Sequence, residues 1–83
     1  MATVVFDTSA AEQFAKLPER IKDRMVKLIE RLQLWPNVSG VKHLRGNLAG
    51  HCRIRTGDYR LQFRVEADVV TIEQVGHRDG FYE

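Results

Sequence analysis

Fourteen residues, Cys52 to Val65, constrain this chain more than any others. The run CRIRTGDYRLQFRV reads as two strands joined by a tight turn at Gly57-Asp58. Gly then Asp between alternating runs is a two-residue hairpin signal, because the favoured turns need positive φ, which Gly permits. That turn sets the register: Thr56 opposite Tyr59, Arg55 opposite Arg60, Ile54 opposite Leu61, Arg53 opposite Gln62 and Cys52 opposite Phe63. Opposed residues share a side of the sheet. Cys52, Ile54, Tyr59, Leu61, Phe63 and Val65 form a core face. His51, Arg53, Arg55, Arg60, Gln62 and Arg64 form the other, and neither strand gives it an acid.

A purely cationic strand face works against stability, since like charges directly opposed repel. Planar guanidinium groups in that arrangement suit phosphates, which Arg binds bidentately. The plain alternative is a basic, solubilising outer face. Charge segregation along the chain bears on this. Residues 42–64 carry six Lys/Arg and one Asp, whereas residues 65–83 carry one Arg and five Asp/Glu. Clustered cations of this kind are the footprint of a nucleic-acid or acidic-protein partner.

Eighty-three residues allow one small domain with one core, residues 1–83 together. No apolar run approaches the roughly 20 residues of a membrane span. The stretch MATVVFDTSAAEQ has neither the basic flank nor the long apolar run of a signal peptide. A single cysteine, Cys52, on the apolar hairpin face reads as a buried thiol. A reducing, cytoplasmic setting is the expectation.

Thr3 to Phe6 is β-prone. Ser9 with Glu12 has capping-box spacing and predicts a helix to about Lys16. Pro18 suits the start of a second helix, in which Ile21, Met25, Leu28, Ile29 and Leu32 form an apolar stripe that Pro36 ends. Residues 36–50 read as an irregular connection. Three strands follow, with Ala67-Asp68 as the second turn. In that register Leu61 meets Gln74, a mismatch that signals a bulge or a frayed end. The order is β-α-α-β-β-β: an α+β fold, an antiparallel sheet packed on a helical hairpin.

No Cys/His cluster has metal-ligand spacing, and no Gly-rich loop leads from a strand into a helix, so neither metal nor cofactor is expected. Arg, Lys, His and Tyr remain, a set fit for metal-free phosphodiester chemistry. RNA supplies its own 2′-OH nucleophile. Cleavage then needs a base, cations for the charged transition state and a proton for the leaving oxygen. Arg is a poor base, which leaves Tyr82, His77 and His51 for proton transfer.

LRG at Leu44–Gly46, RIRTGDYRLQFRV at Arg53–Val65 and VGHRDGFY at Val75–Tyr82 together resemble the RelE/ParE superfamily of toxins. The resemblance implies a compact α+β ribonuclease fold, a cognate antitoxin with which it forms a hetero-oligomer, and in the RelE branch cleavage of mRNA in the A site of the 70S ribosome. It places Arg53, Arg55, Arg60 and Arg78 on the scissile phosphate and Tyr82 against a base or in proton transfer, with His77 a second acid/base candidate. Lys42, His43, Arg45, His51 and Arg64 would grip RNA. RelE-like enzymes often carry Lys at the first two strand positions, and Arg at both here leaves phosphate binding intact. The ParE branch shares the fold but poisons DNA gyrase without cutting RNA. Keeping the cationic set together with Tyr82 favours the ribonuclease branch. A plain RNA-binding module is the third alternative.

Overall fold

The computed structural model describes residues 1–80. Strand β1 (Thr3–Phe6) leads into helices α1 (Thr8–Ala15) and α2 (Glu19–Leu32). A two-residue strand β2 (Lys42–His43) precedes β3 (His51–Thr56), β4 (Tyr59–Glu66) and β5 (Val69–His77). The strand order is β1-β5-β4-β3-β2. The expectation of an antiparallel sheet holds for β2 to β5 but not for β1, which joins β5 in parallel. The two helices between β1 and the later strands form the crossover that a parallel pairing needs.

Asp7 rather than Ser9 caps α1, its Oδ1 accepting from the Ala10 amide at 2.9 Å. A carboxylate there satisfies an amide that helix geometry leaves open. The stripe on α2 is buried at Ile21, Met25, Leu28 and Leu32, with Ile29 packed at its margin. It meets Cys52, Ile54, Leu61, Phe63, Val70, Ile72 and Val75 from one sheet face. Trp35, past the end of α2, closes this core edge-on against Phe63 at 5.5 Å. The other sheet face carries no helix and is where the arginines lie.

The hairpin has the expected register, Thr56 opposite Tyr59 through His51 opposite Arg64. Gly57 sits at φ +59° and Asp58 is not at positive φ, as a II′ turn requires. Between β4 and β5 the predicted mismatch resolves as a bulge. Phe63 pairs with Ile72, then Gln62 with Gln74 and Leu61 with Val75, so Glu73 is the extra residue. Beyond the reach of β1, the Val75 amide donates to Gln13 Oε1 of α1 at 2.9 Å.

At the β4–β5 turn it is Ala67, not Asp68, that takes positive φ, at 53°. A left-handed non-glycine residue costs about 1–2 kcal/mol, of which glycine's extra unfolded-state entropy offsets part. Ala67→Gly should therefore raise unfolding free energy by roughly 0.5–1 kcal/mol in a urea titration. An unchanged or lower value would contradict the strained turn.

Candidate nucleic-acid interface

Register sorts the helix-free face into four rows across the strands, of which three carry cations. Arg55 pairs with Arg60, and Arg60 with Gly76. Lys42 pairs with Arg53, Arg53 with Gln62, and Gln62 with Gln74. His51 pairs with Arg64, and Arg64 with Thr71. The first two rows bring Lys42, Arg53, Arg55 and Arg60 around a cleft of about 240 Å³ that Gly40 also lines. Arg31 of α2 donates to the Ser39 carbonyl oxygen at 2.7 Å and so anchors the loop that delivers Gly40.

Arg53 is only 3% exposed, while Arg55 is exposed and Arg60 half-buried. Burying a guanidinium is costly without compensating groups. A cation fixed in such a poorly screened floor acts on an anion more strongly than one in open water. The geometry suits a phosphate lowered between planar donors.

Arg78 follows the last strand in a short 3₁₀ turn, residues 78–80. Its amide donates to the Asp58 carbonyl oxygen at 2.8 Å, and its Nε lies 3.9 Å from Asp58 Oδ1 and from Asp79 Oδ1. This places it beside the hairpin turn, at the Arg55–Arg60 end of the sheet. The chain then turns over the arginine face, where Gln74 Nε2 donates to the Gly80 carbonyl oxygen at 3.4 Å. Tyr82 lies outside the described residues.

Two histidines named from sequence do not join this face. His77 pairs with Tyr59 on the helix side, its ring edge-on to the tyrosine at 5.3 Å and its Nδ1 accepting from the Asp79 amide at 3.2 Å. The bulge is the reason: one extra residue before position 77 reverses which side the later residues take. His43 pairs with Cys52, again on the helix side, with Nδ1 3.4 Å from Cys52 Sγ and its ring near Trp35. Arg45 is exposed and borders a separate hollow with Lys42, Leu44 and Leu48.

The third row holds a residue that hairpin reasoning missed. Glu73 Oε1 lies 2.6 Å from His51 Nδ1, and its Oε2 accepts from Arg64 Nη1 at 3.0 Å. The face thus has acids: Glu73 from β5 and, one row further, exposed Glu66 at the end of β4 opposite Val69. Continuing the alternation Thr71-Glu73 into the third strand is the sequence signal that finds Glu73. Among the described residues no three His, Cys, Asp or Glu side chains converge to hold a metal ion.

These features define an α+β domain with a cationic cleft on the open face of its sheet. Residues 4–80 match the family of the ParE toxin of type II toxin-antitoxin systems, parDE. The chain is 39% identical over 83 residues to the toxin RelG of Mycobacterium tuberculosis, covering 96% of this chain and 94% of that one. It superposes with a TM-score of 0.81 on the toxin-antitoxin complex RelBE2 of the same organism, at 35% identity over 93% of this chain and 98% of that one. The isolated RelE toxin of E. coli gives a TM-score of 0.79 at 25% identity, over 93% and 84%. The chain belongs to the RelE/ParE superfamily of type II toxins.

Burial pushes the Cys52 thiol above its ordinary value of 9.0. The thiol is therefore a core group rather than a nucleophile. A folded-state pKa raised above the unfolded one adds stability below the unfolded pKa, and that contribution is lost as pH rises through the folded value. Stability should decline on titration above about pH 9. Cys52→Ala, less stable at neutral pH, should show a flatter decline in urea titrations from about pH 8 to 10. Parallel declines would contradict the assignment.

Proposed function

We propose that this toxin is a metal-independent endoribonuclease that cuts mRNA in the ribosomal A site and so stops translation. The observation that carries the reading is the cleft: Arg53 at its floor, with Lys42, Arg55 and Arg60 around it. A phosphate seated there would meet guanidinium groups on two opposed strands. The 2′-OH of the preceding nucleotide would attack the phosphorus, and the 5′-oxygen would leave. Arg53, Arg55 and Arg60 would stabilise the charge that develops on the phosphoryl oxygens. Arg78, close to the same end of the sheet, would complete the cation set.

Tyr82 is proposed to stack on a base or to take part in proton transfer. The support for this role is chemical: a phenol can stack on a base and can carry a proton. The position of His77 against Tyr59 favours Tyr82 over His77 for that role. Products would be a 2′,3′-cyclic phosphate and a 5′-OH.

A cognate antitoxin is proposed as partner. The matched RelBE2 structure is itself a toxin-antitoxin complex. An acidic segment would neutralise the cleft. An apolar segment would fit the groove of about 280 Å³ lined by Phe6, Ala11, Phe14, Val26 and Ile29, where Val26 is 44% exposed.

The match to a family described by its ParE toxin keeps a gyrase-directed, non-catalytic mode as the second reading. Induced expression followed by primer extension on abundant mRNAs separates the two. The ribonuclease predicts cuts at codon-phased positions within minutes. Arg60→Ala should lower cleavage by about 10²–10³-fold, the typical cost of removing one preorganised charge-stabilising group. Growth arrest with intact mRNA would favour gyrase, and an Arg60→Ala protein as toxic as the parent would overturn the site.

A further inference from the structure

The arginine face is one surface but two electrostatic halves. At one end Lys42, Arg53, Arg55 and Arg60 line the cleft. At the other, Glu73 lies between His51 and Arg64, each within 3.0 Å of one of its carboxylate oxygens. Glu73 is only 16% exposed, so its charge sits on these two side chains rather than in water. The Glu73 carboxylate thus offsets the charge of Arg64. Past it the face carries no further cation: exposed Glu66 of β4 lies opposite Val69, which pairs with Thr3 of β1, and Val5 pairs with Thr71, Val69 and Val5 each being about 40% exposed. His51 stands four residues along β3 from Arg55, about 13 Å at the rise of a strand.

We propose that Glu73 is a specificity-determining residue that ends the nucleic-acid footprint. By holding His51 and Arg64, it keeps phosphates from that end and confines the RNA backbone to the two rows at the cleft. The hydrogen-bonding capacity of His51 and Arg64, read from sequence as RNA-gripping, is directed at Glu73 although Arg64 is 42% exposed. An anion reaching them must displace or approach a carboxylate, which repels it. Glu73 takes this side by the alternation that continues from Thr71, and the bulge places Gln74 on the same side after it. The inference rests on the nucleic-acid reading above.

Salt dependence of binding counts phosphate contacts, because each neutralised phosphate of a single strand adds about 0.7 to the slope of log K against log salt. The test uses the full-length protein and a 2′-O-methyl oligoribonucleotide, which lacks the attacking hydroxyl, with anisotropy read from about 50 to 300 mM KCl. Arg55→Ala should flatten the slope by about 0.7. Arg64→Ala should leave it at the parent value. Glu73→Gln should steepen it by about 0.7 or more and tighten binding at low salt. Circular dichroism of each variant matching that of the parent ties the slopes to the folded protein. If Arg64→Ala flattens the slope as much as Arg55→Ala, or Glu73→Gln leaves it unchanged, Glu73 does not bound the footprint. A parent protein with no affinity for the oligonucleotide would instead overturn the nucleic-acid reading, and this inference with it.

Discussion

The strand register set by the Gly57-Asp58 turn is the constraint on which the remaining structure depends. A slip of one residue would send Ile54, Leu61 and Phe63 to solvent and Arg53, Arg55 and Arg60 against α2. Two forces oppose the slip. Helix α2 buries the apolar side of the hairpin, and positive φ at Gly57 holds the turn. The same register places Arg55 opposite Arg60, which costs stability. The hydrophobic core offsets that repulsion and keeps the cations in place before any ligand arrives. Preorganisation of this kind is what lets fixed charges act on a developing anion.

The bulge at Glu73 is the second device, and it acts on both sides of the sheet. It lets Val75 rejoin the core opposite Leu61 after Ile72 has packed opposite Phe63. It also brings Gln74 and Gly76 into the rows of the arginine face and takes His77 to the other side. Arg78 then emerges beside Asp58, near the cleft end. One inserted residue thus settles which member of the His77-Arg78 pair approaches the cleft end.

Features that depend on near neighbours were legible in the sequence. The hairpin, both its faces, the α2 stripe and the buried Cys52 follow from turn chemistry and periodicity. The mismatch of Leu61 with Gln74 announced the bulge, though not its consequence for His77. What long-range pairing decides was not legible. The parallel docking of β1 on β5 depends on how two helices cross the sheet. The pairing of Lys42-His43 with β3, which turns His43 to the helix side, arises inside a segment that reads as irregular. Asp7 prevailed over Ser9 as the cap because its carboxylate reaches the Ala10 amide. The partition of the arginine face by Glu73 required the third strand to be set beside the hairpin.

The central claim is that the cleft holds an RNA phosphate for attack by its own 2′-OH. The most direct measurement mixes the purified toxin with ribosomes programmed with a defined mRNA and examines the new ends. The account predicts fragments whose 5′ ends accept phosphate from polynucleotide kinase without prior phosphatase treatment, with a cyclic phosphate on the upstream partner. Intact mRNA under conditions where the toxin is bound to the ribosome, or fragments bearing 5′-phosphates, would contradict it.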